Sequence, residues 1–167
     1  MVNSTIDNQL IKQTLTYAKT IAMVGVSLIK KEETSTLIRR RPSIIVMKYL
    51  QEFGYRVIPV NPSSAGKKIY GETAVAKLED IAIPIDVVNV FRPSKEAPIF
   101  AEQTVKIGAK VLWLQFGIQN QKAQEIVESA NITYIANRCI KQEYQKLFLT
   151  MSYWRTGKTG LIFKNNL

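Results

Sequence analysis

The chain has 167 residues, with 23 Lys and Arg against 13 Asp and Glu, a net charge of +10 and no His. A length of this order suits one domain that buries about 68–70% of the surface its unfolded chain exposes. The absence of His excludes a Ser-His-Asp triad, a His-ligated metal and a phosphohistidine relay, and one Cys excludes an internal disulfide or a thiolate cluster.

In chain order, Asp7 opens a helical pattern carrying Ile11, Leu15 and Ala18. Ala22-Met23-Val24 reads as a first strand, followed by the turn Gly25-Val26-Ser27. The connection from Val26 to Pro42 exceeds an ordinary βα loop of ~2–6 residues. It carries Lys30, Lys31, Arg39, Arg40 and Arg41 against Glu32 and Glu33. Ser43 is expected to cap a helix with the stripe Val46, Tyr49, Leu50 and Phe53, and Gly54 to stop it. Arg56 to Val60 forms a second strand ending in Asn61-Pro62, and Ala74 to Asp80 has room only for a short helix.

A third strand runs from Asp86 to Phe91 and exits through Arg92-Pro93. The stripe Ala97, Phe100, Ala101 and Thr104 follows, with Pro98 tolerated near the first turn and Gly108 at the end. Lys110 to Leu114 is a fourth strand leading to Gln115-Phe116-Gly117. Asn120 caps a helix with Ala123, Ile126, Val127 and Ala130, and Ile132 to Ala136 is a fifth strand. Ile140, Tyr144, Leu147 and Phe148 make a last amphipathic helix. The strands are near-continuous in apolar residues, as strands covered on both faces are.

Alternating strands and helices imply an α/β, Rossmann-like, doubly wound sheet of five parallel strands, with the expected order 3-2-1-4-5. One domain is expected over residues 1–148, with a basic tail over 149–167. In such folds ligands sit beyond the carboxyl ends of the strands, where the chain reverses direction across the sheet. The 3-2-1-4-5 order places that crevice between the first and fourth strands.

The strand ends therefore supply the candidate binding residues. Gly25, Val26 and Ser27 offer a tight turn and main-chain donors for a phosphate. Arg41 and Ser43 lie at a helix start, where the dipole and unpaired N–H groups favour anions. The preceding basic loop is either a solvated charge run or a lid bringing cations to a phosphate-rich ligand. Arg92 either grips phosphate through its fork or pairs with a helix carboxylate such as Glu96. Trp113 is expected in the core, and Gln115 and Gly117 at the ligand edge. Cys139 has no His to activate it and no second thiol, which favours a buried structural role; Arg138 and the following helix start leave thiol exchange open. No metal site and no catalytic residue are expected. The dinucleotide fingerprint fails, because Gly25 to Lys30 lacks its second and third glycines and Asn61 stands where an acid would hold the ribose.

Taken together, these motifs resemble the small, free-standing CoA-binding domain family, which is similar to the CoA-binding domain of the succinyl-CoA synthetase alpha subunit. The resemblance is carried by Val24-Gly25-Val26-Ser27, Arg41-Pro42-Ser43, Tyr49-Leu50, Gly54 to Pro62, Asp86-Val87-Val88, Val90-Phe91-Arg92, Gly108-Ala109-Lys110, Trp113-Leu114-Gln115 with Gly117, and Asn137 to Lys141. It runs from about residue 20 to about residue 148. It implies that coenzyme A lies with its pyrophosphate on Gly25 and Ser27. Asn61 and Pro62 would flank the adenosine, and Phe91, Arg92, Gln115 and Gly117 would line the remaining groove. The chain departs from the family pattern at Asn137, often an acid, at Ile140, often Pro, and in its longer, more basic first loop.

The synthetase needs a phosphohistidine and a partner subunit, so the resemblance implies binding of CoA or an acyl-CoA without ligation by this chain. Two readings stand beside it: an NAD(P)-dependent oxidoreductase on the same fold, disfavoured by the failed fingerprint, and a basic nucleic-acid-binding protein, for which no base-reading motif is found. No specific nucleic acid is expected as a partner. The polar stretch Met1 to Asn8 has no secretory pattern and no apolar run approaches the ~18 residues of a membrane span, so a cytoplasmic protein is expected.

Overall fold

The computed structural model describes residues 4–27 and 41–149. The basic stretch Leu28 to Arg40 and the tail beyond Leu149 lie outside the described residues. The elements in order are α1 (Ser4–Tyr17), β1 (Thr20–Val24), α2 (Pro42–Glu52), β2 (Arg56–Val60), β3 (Lys68–Ile69), β4 (Glu72–Thr73), β5 (Val87–Val90), α3 (Ala97–Lys106), β6 (Val111–Leu114), α4 (Gln121–Ser129), β7 (Thr133–Ile135) and α5 (Ile140–Tyr144). Single 3-10 turns cover Pro62–Ser64, Leu78–Asp80 and Ser94–Glu96, and a π-helical turn over Gln145–Leu149 extends α5.

Five strands form one parallel sheet in the order β2-β1-β5-β6-β7. The doubly wound α/β class is as expected. Counted through the five strands the order is 2-1-3-4-5, and with the Val75 strap, bridged in parallel to Val60, taken as the piece beyond β2 it is consistent with the 3-2-1-4-5 pattern, β5 pairing with the other side of β1. The physical reason lies in β2 itself. Pro59 has no N–H, and proline is tolerated in sheets at edges rather than in central strands. Among the described residues, a strap from the β2–β5 connection lies beyond that edge: Val75 N–H donates to the Pro59 carbonyl at 3.0 Å, and Asn61 N–H to the Val75 carbonyl at 2.9 Å. The reversal point therefore falls between β1 and β5.

The same connection contains the antiparallel pair β3–β4, which the periodicity does not reveal. Its turn, Tyr70-Gly71, has φ of +46° and +86°. Two consecutive positive φ values belong to the hairpin turn usually written Asn-Gly, and Tyr70 conceals that signature.

Alternation across the sheet divides the core in two. One face buries Ile21, Met23, Val57, Val87 and Trp113 under α1, α2 and α5. The other buries Ala22, Val24, Val88, Val90 and Leu112 under α3 and α4. Ile11, Leu15 and Ala18 of the first helical segment are buried as expected, and so is Trp113, whose indole N–H donates to the Arg138 carbonyl at 2.7 Å. Helix α2 starts two residues earlier than the Ser43 cap predicts: Arg41 holds the N-cap position without a side-chain cap, and Pro42 takes the first turn, where its missing N–H costs nothing. Asn120 does cap α4, its side-chain oxygen accepting from Ala123 N–H at 2.9 Å. Among the described residues no helix is long and apolar enough to cross a membrane.

Candidate functional site

At the carboxyl ends of β1 and β5, Gly25 turns the chain with φ of +94° and donates its N–H to the Val60 carbonyl at 2.9 Å. The Phe91 N–H donates to the Val24 carbonyl at 2.9 Å, which brings the two strand ends together. A Cβ at position 25 would stand 2.9 Å from the Phe91 carbonyl oxygen, so both the dihedral and the space demand glycine. Because the Gly25 N–H is already used inside the sheet, the turn's remaining main-chain donors are those of Val26 and Ser27, which make no hydrogen bond with the described backbone.

Two clefts open on either side of this point. The first, about 540 Å³, has Gly25 and Val60 at its base, Asn61, Pro62, Ser63 and Lys77 along one wall, and Arg92, Glu96, Phe100 and Gln103 along the other. The second, about 410 Å³, lies on the opposite face of the sheet, between Phe91, Gln115, Phe116 and Ile118 on one side and Pro42, Val46, Cys139 and Gln142 on the other. Arg92 lines the first cleft and its neighbour Phe91 the second, so the reversal point separates them.

The charges of the first cleft are paired. The Nε and Nη2 atoms of Arg92 both reach Glu96, at 2.9 and 3.0 Å. This is the helix-carboxylate pairing that the sequence left open beside phosphate binding. The fork of Arg92 holds the Glu96 carboxyl below the usual carboxylate range, and Glu96 in turn raises the guanidinium pKa. Lys77 stands 3.4 Å from Glu79, which also meets Lys106 at 2.8 Å. Asn61 accepts from the N–H and hydroxyl of Ser63 at 3.0 and 2.9 Å, which fixes the Pro62–Ser64 turn at the cleft wall.

The sequence-derived candidates thus fall into groups. Gly25, Asn61, Pro62 and Arg92 line the first cleft, and Phe91, Gln115 and Cys139 the second. Ser27 and Arg41 meet each other, with Arg41 Nη1 donating to the Ser27 hydroxyl at 3.0 Å. The Val26 side chain is fully buried in the core, and Ser43 is buried at the start of α2. Pro93 and Gly117 line neither cleft. Gly117 instead donates its N–H to the Asn137 side chain at 2.8 Å. Asn137 itself has φ of +56°, a conformation asparagine tolerates well. Gln115 is buried and donates to the Asn89 side chain at 2.7 Å, so one end of its amide is spent inside the protein. Cys139 is half-buried and faces the second cleft. No group of three potential metal ligands occurs among the described residues.

Sequence reasoning missed Lys77 in the first cleft, named Glu96 only as a pairing partner of Arg92, and gave no cleft role to Phe100 or Gln103. The last three had a signal, since spacings of four and three residues put them on one helical face. Lys77 had none, because only the strap beside β2 carries it there.

Comparison with known proteins adds the family context. Residues 19–145 match the CoA binding domain family. The chain is 38% identical over 131 residues to the Bacillus subtilis protein YneT, covering 78% of this chain and 89% of that one. A solved structure from Thermus thermophilus superimposes with a TM-score of 0.75 at 35% identity, covering 84% of this chain and 98% of that one. One from Pyrococcus horikoshii gives 0.73 at 36%, covering 85% and 94%. The dinucleotide-forming acetyl-coenzyme A synthetase of Korarchaeum cryptofilum shares the fold, with a TM-score of 0.58 at 21% identity, over 75% of this chain and 27% of the synthetase.

Proposed function

The chain belongs to the CoA binding domain family, and from that premise we propose that it binds coenzyme A or an acyl-CoA without catalysing a reaction of its own. The observation that carries this reading is the close approach of backbone at Gly25, where no side chain fits, at the base of the first cleft and one strand end away from Phe91 in the second. The nucleoside lies in the first cleft against Asn61 and Pro62, with Arg92 at its phosphates. The diphosphate crosses the turn at the N–H groups of Val26 and Ser27, and Arg41, held by Ser27, stands beside it. The pantetheine arm runs past Phe91 into the second cleft, whose apolar lining suits it and where Gln115 offers an amide oxygen. Both volumes fall within the ~300–1,000 Å³ of ordinary ligand sites. A host of net charge +10 also attracts a ligand with several phosphate charges over long range.

In this arrangement the thiol end approaches Cys139. Thiol–disulfide exchange is then open to it: the Cys139 thiolate attacks one sulfur of a CoA disulfide, a mixed disulfide forms, and one CoA thiolate leaves. Binding itself is tested by thermal shift with CoA, dephospho-CoA and NAD. CoA at a hundred times its Kd adds about 2.7 kcal/mol, or about 5–10 °C at this size. A shift with CoA supports the reading; no shift at millimolar CoA overturns it, and a shift with NAD alone favours the oxidoreductase.

A further inference from the structure

Arg92 is the strongest anion-binding group of the first cleft, yet its fork is filled. Both donors on its Nε edge go to the Glu96 carboxylate, and Glu96 lines the same cleft. A carboxylate and a phosphate use that edge in the same two-bond geometry, so only one can hold it at a time. The pair is also easily opened. The side chains are 48% and 27% exposed, and ion pairs this open to water hold by a factor of only about one to five. Lys77 on the facing wall stands 3.4 Å from Glu79, and as a single ammonium it lacks the two-bond fork that Arg92 offers.

Charge decides which ligand group displaces Glu96. A phosphomonoester carries about −1.5 to −2 near neutral pH, against −1 for a carboxylate. Each phosphorus of a diphosphate diester carries about −1, no more than Glu96 itself. Building on the CoA reading above, we infer that Glu96 is an internal counter-ion that holds the Arg92 fork until the 3′-phosphate of CoA takes its place. Glu96 thereby sets how sharply the protein separates CoA from its dephosphorylated form. It lowers the affinity for both, because either ligand brings negative charge near it, but it competes directly only with the phosphomonoester.

The test is calorimetric titration of CoA and dephospho-CoA into the wild type, E96Q, R92A and the E96Q/R92A double variant at one ionic strength. Wild type is expected to prefer CoA. E96Q is expected to raise CoA affinity two- to fivefold and dephospho-CoA affinity by less, widening the ratio. R92A is expected to weaken CoA about tenfold, and in its background E96Q no longer widens the ratio. An unchanged or narrowed ratio in E96Q, or a ratio that still widens without Arg92, overturns the inference while CoA binding stands. Failure of wild type to bind either ligand overturns the CoA reading as well. Glu96 is a surface residue outside the core, and thermal melts of each variant confirm that the folded protein is being titrated.

Discussion

The two ends of the sheet each hold a carboxylate with a lowered pKa, and they hold it in opposite ways. At the amino end, Asp86 accepts from the N–H groups of Lys19 and Thr20 at 2.8 and 3.1 Å, from the Thr20 hydroxyl at 3.2 Å and from Lys110 Nζ at 3.0 Å. Burial pushes its carboxyl up, and the hydrogen bonds from the Lys19 and Thr20 backbone and from Lys110 more than offset this. At the carboxyl end, Glu96 is lowered by one exposed guanidinium. The two main-chain donors of the Lys19–Thr20 segment cannot be exchanged without unfolding. A single side chain at the water's edge can swap partners. On the proposed reading, the amino end serves stability and the carboxyl end gives up its internal contacts to a ligand.

This contrast breaks most visibly at Gly25. Gly25→Ala forces a Cβ against the Phe91 carbonyl at positive φ, and is expected to cost about 3 kcal/mol of stability and more than tenfold in CoA affinity. Paired melts and titrations check both, and a variant with wild-type affinity removes the close approach from the site.

Asp86→Asn is expected to cost about 2 kcal/mol, the scale of lost charge-assisted hydrogen bonds, while leaving CoA affinity unchanged. Its pH signature has a definite sign. A carboxyl lowered in the folded state contributes stability above its unfolded pKa, and that contribution is lost as the pH falls through the folded value. The wild type should therefore lose more stability than Asp86→Asn as the pH drops below about 4. Parallel acid limbs in denaturant titrations would remove Asp86 from this role.

Arg92→Ala is expected to invert the pattern, weakening CoA about tenfold while stability changes by less than about 1 kcal/mol, because exposed ion pairs hold little. The smallest effect is expected at Cys139. Cys139→Ser should change CoA affinity by less than about twofold, the loss of one weak thiol contact. Intact mass after incubation with CoA disulfide should show one added CoA on the native wild type and none on Cys139→Ser. An unmodified wild type places the thiol out of reach.

Much of this was legible in the residues. The apolar strands, the Asn120 cap, the Gly54 and Gly108 stops and the strand-end positions of Gly25, Asn61 and Arg92 follow from local rules, each acting over a few residues. The strand order was less legible, although Pro59 already spoke for an edge. The partners of the polar candidates were least legible. That Gly25 spends its N–H on Val60, that Gln115 spends its amide on Asn89, and that Lys77 reaches the first cleft depend on segments distant in sequence.

The sequence by itself determined the class of fold, the sheet edge that holds the candidate site and the exclusion of His-based mechanisms, because periodicity, turn residues and composition are properties of neighbouring residues. Only the tertiary structure decided that β5 lies beside β1, that the strand ends open into two clefts on opposite faces rather than one, and that Arg92 faces Glu96 inside one of them. Those outcomes rest on which strand edges find partners and which side chains meet across the sheet, and such choices are settled only when the whole chain packs.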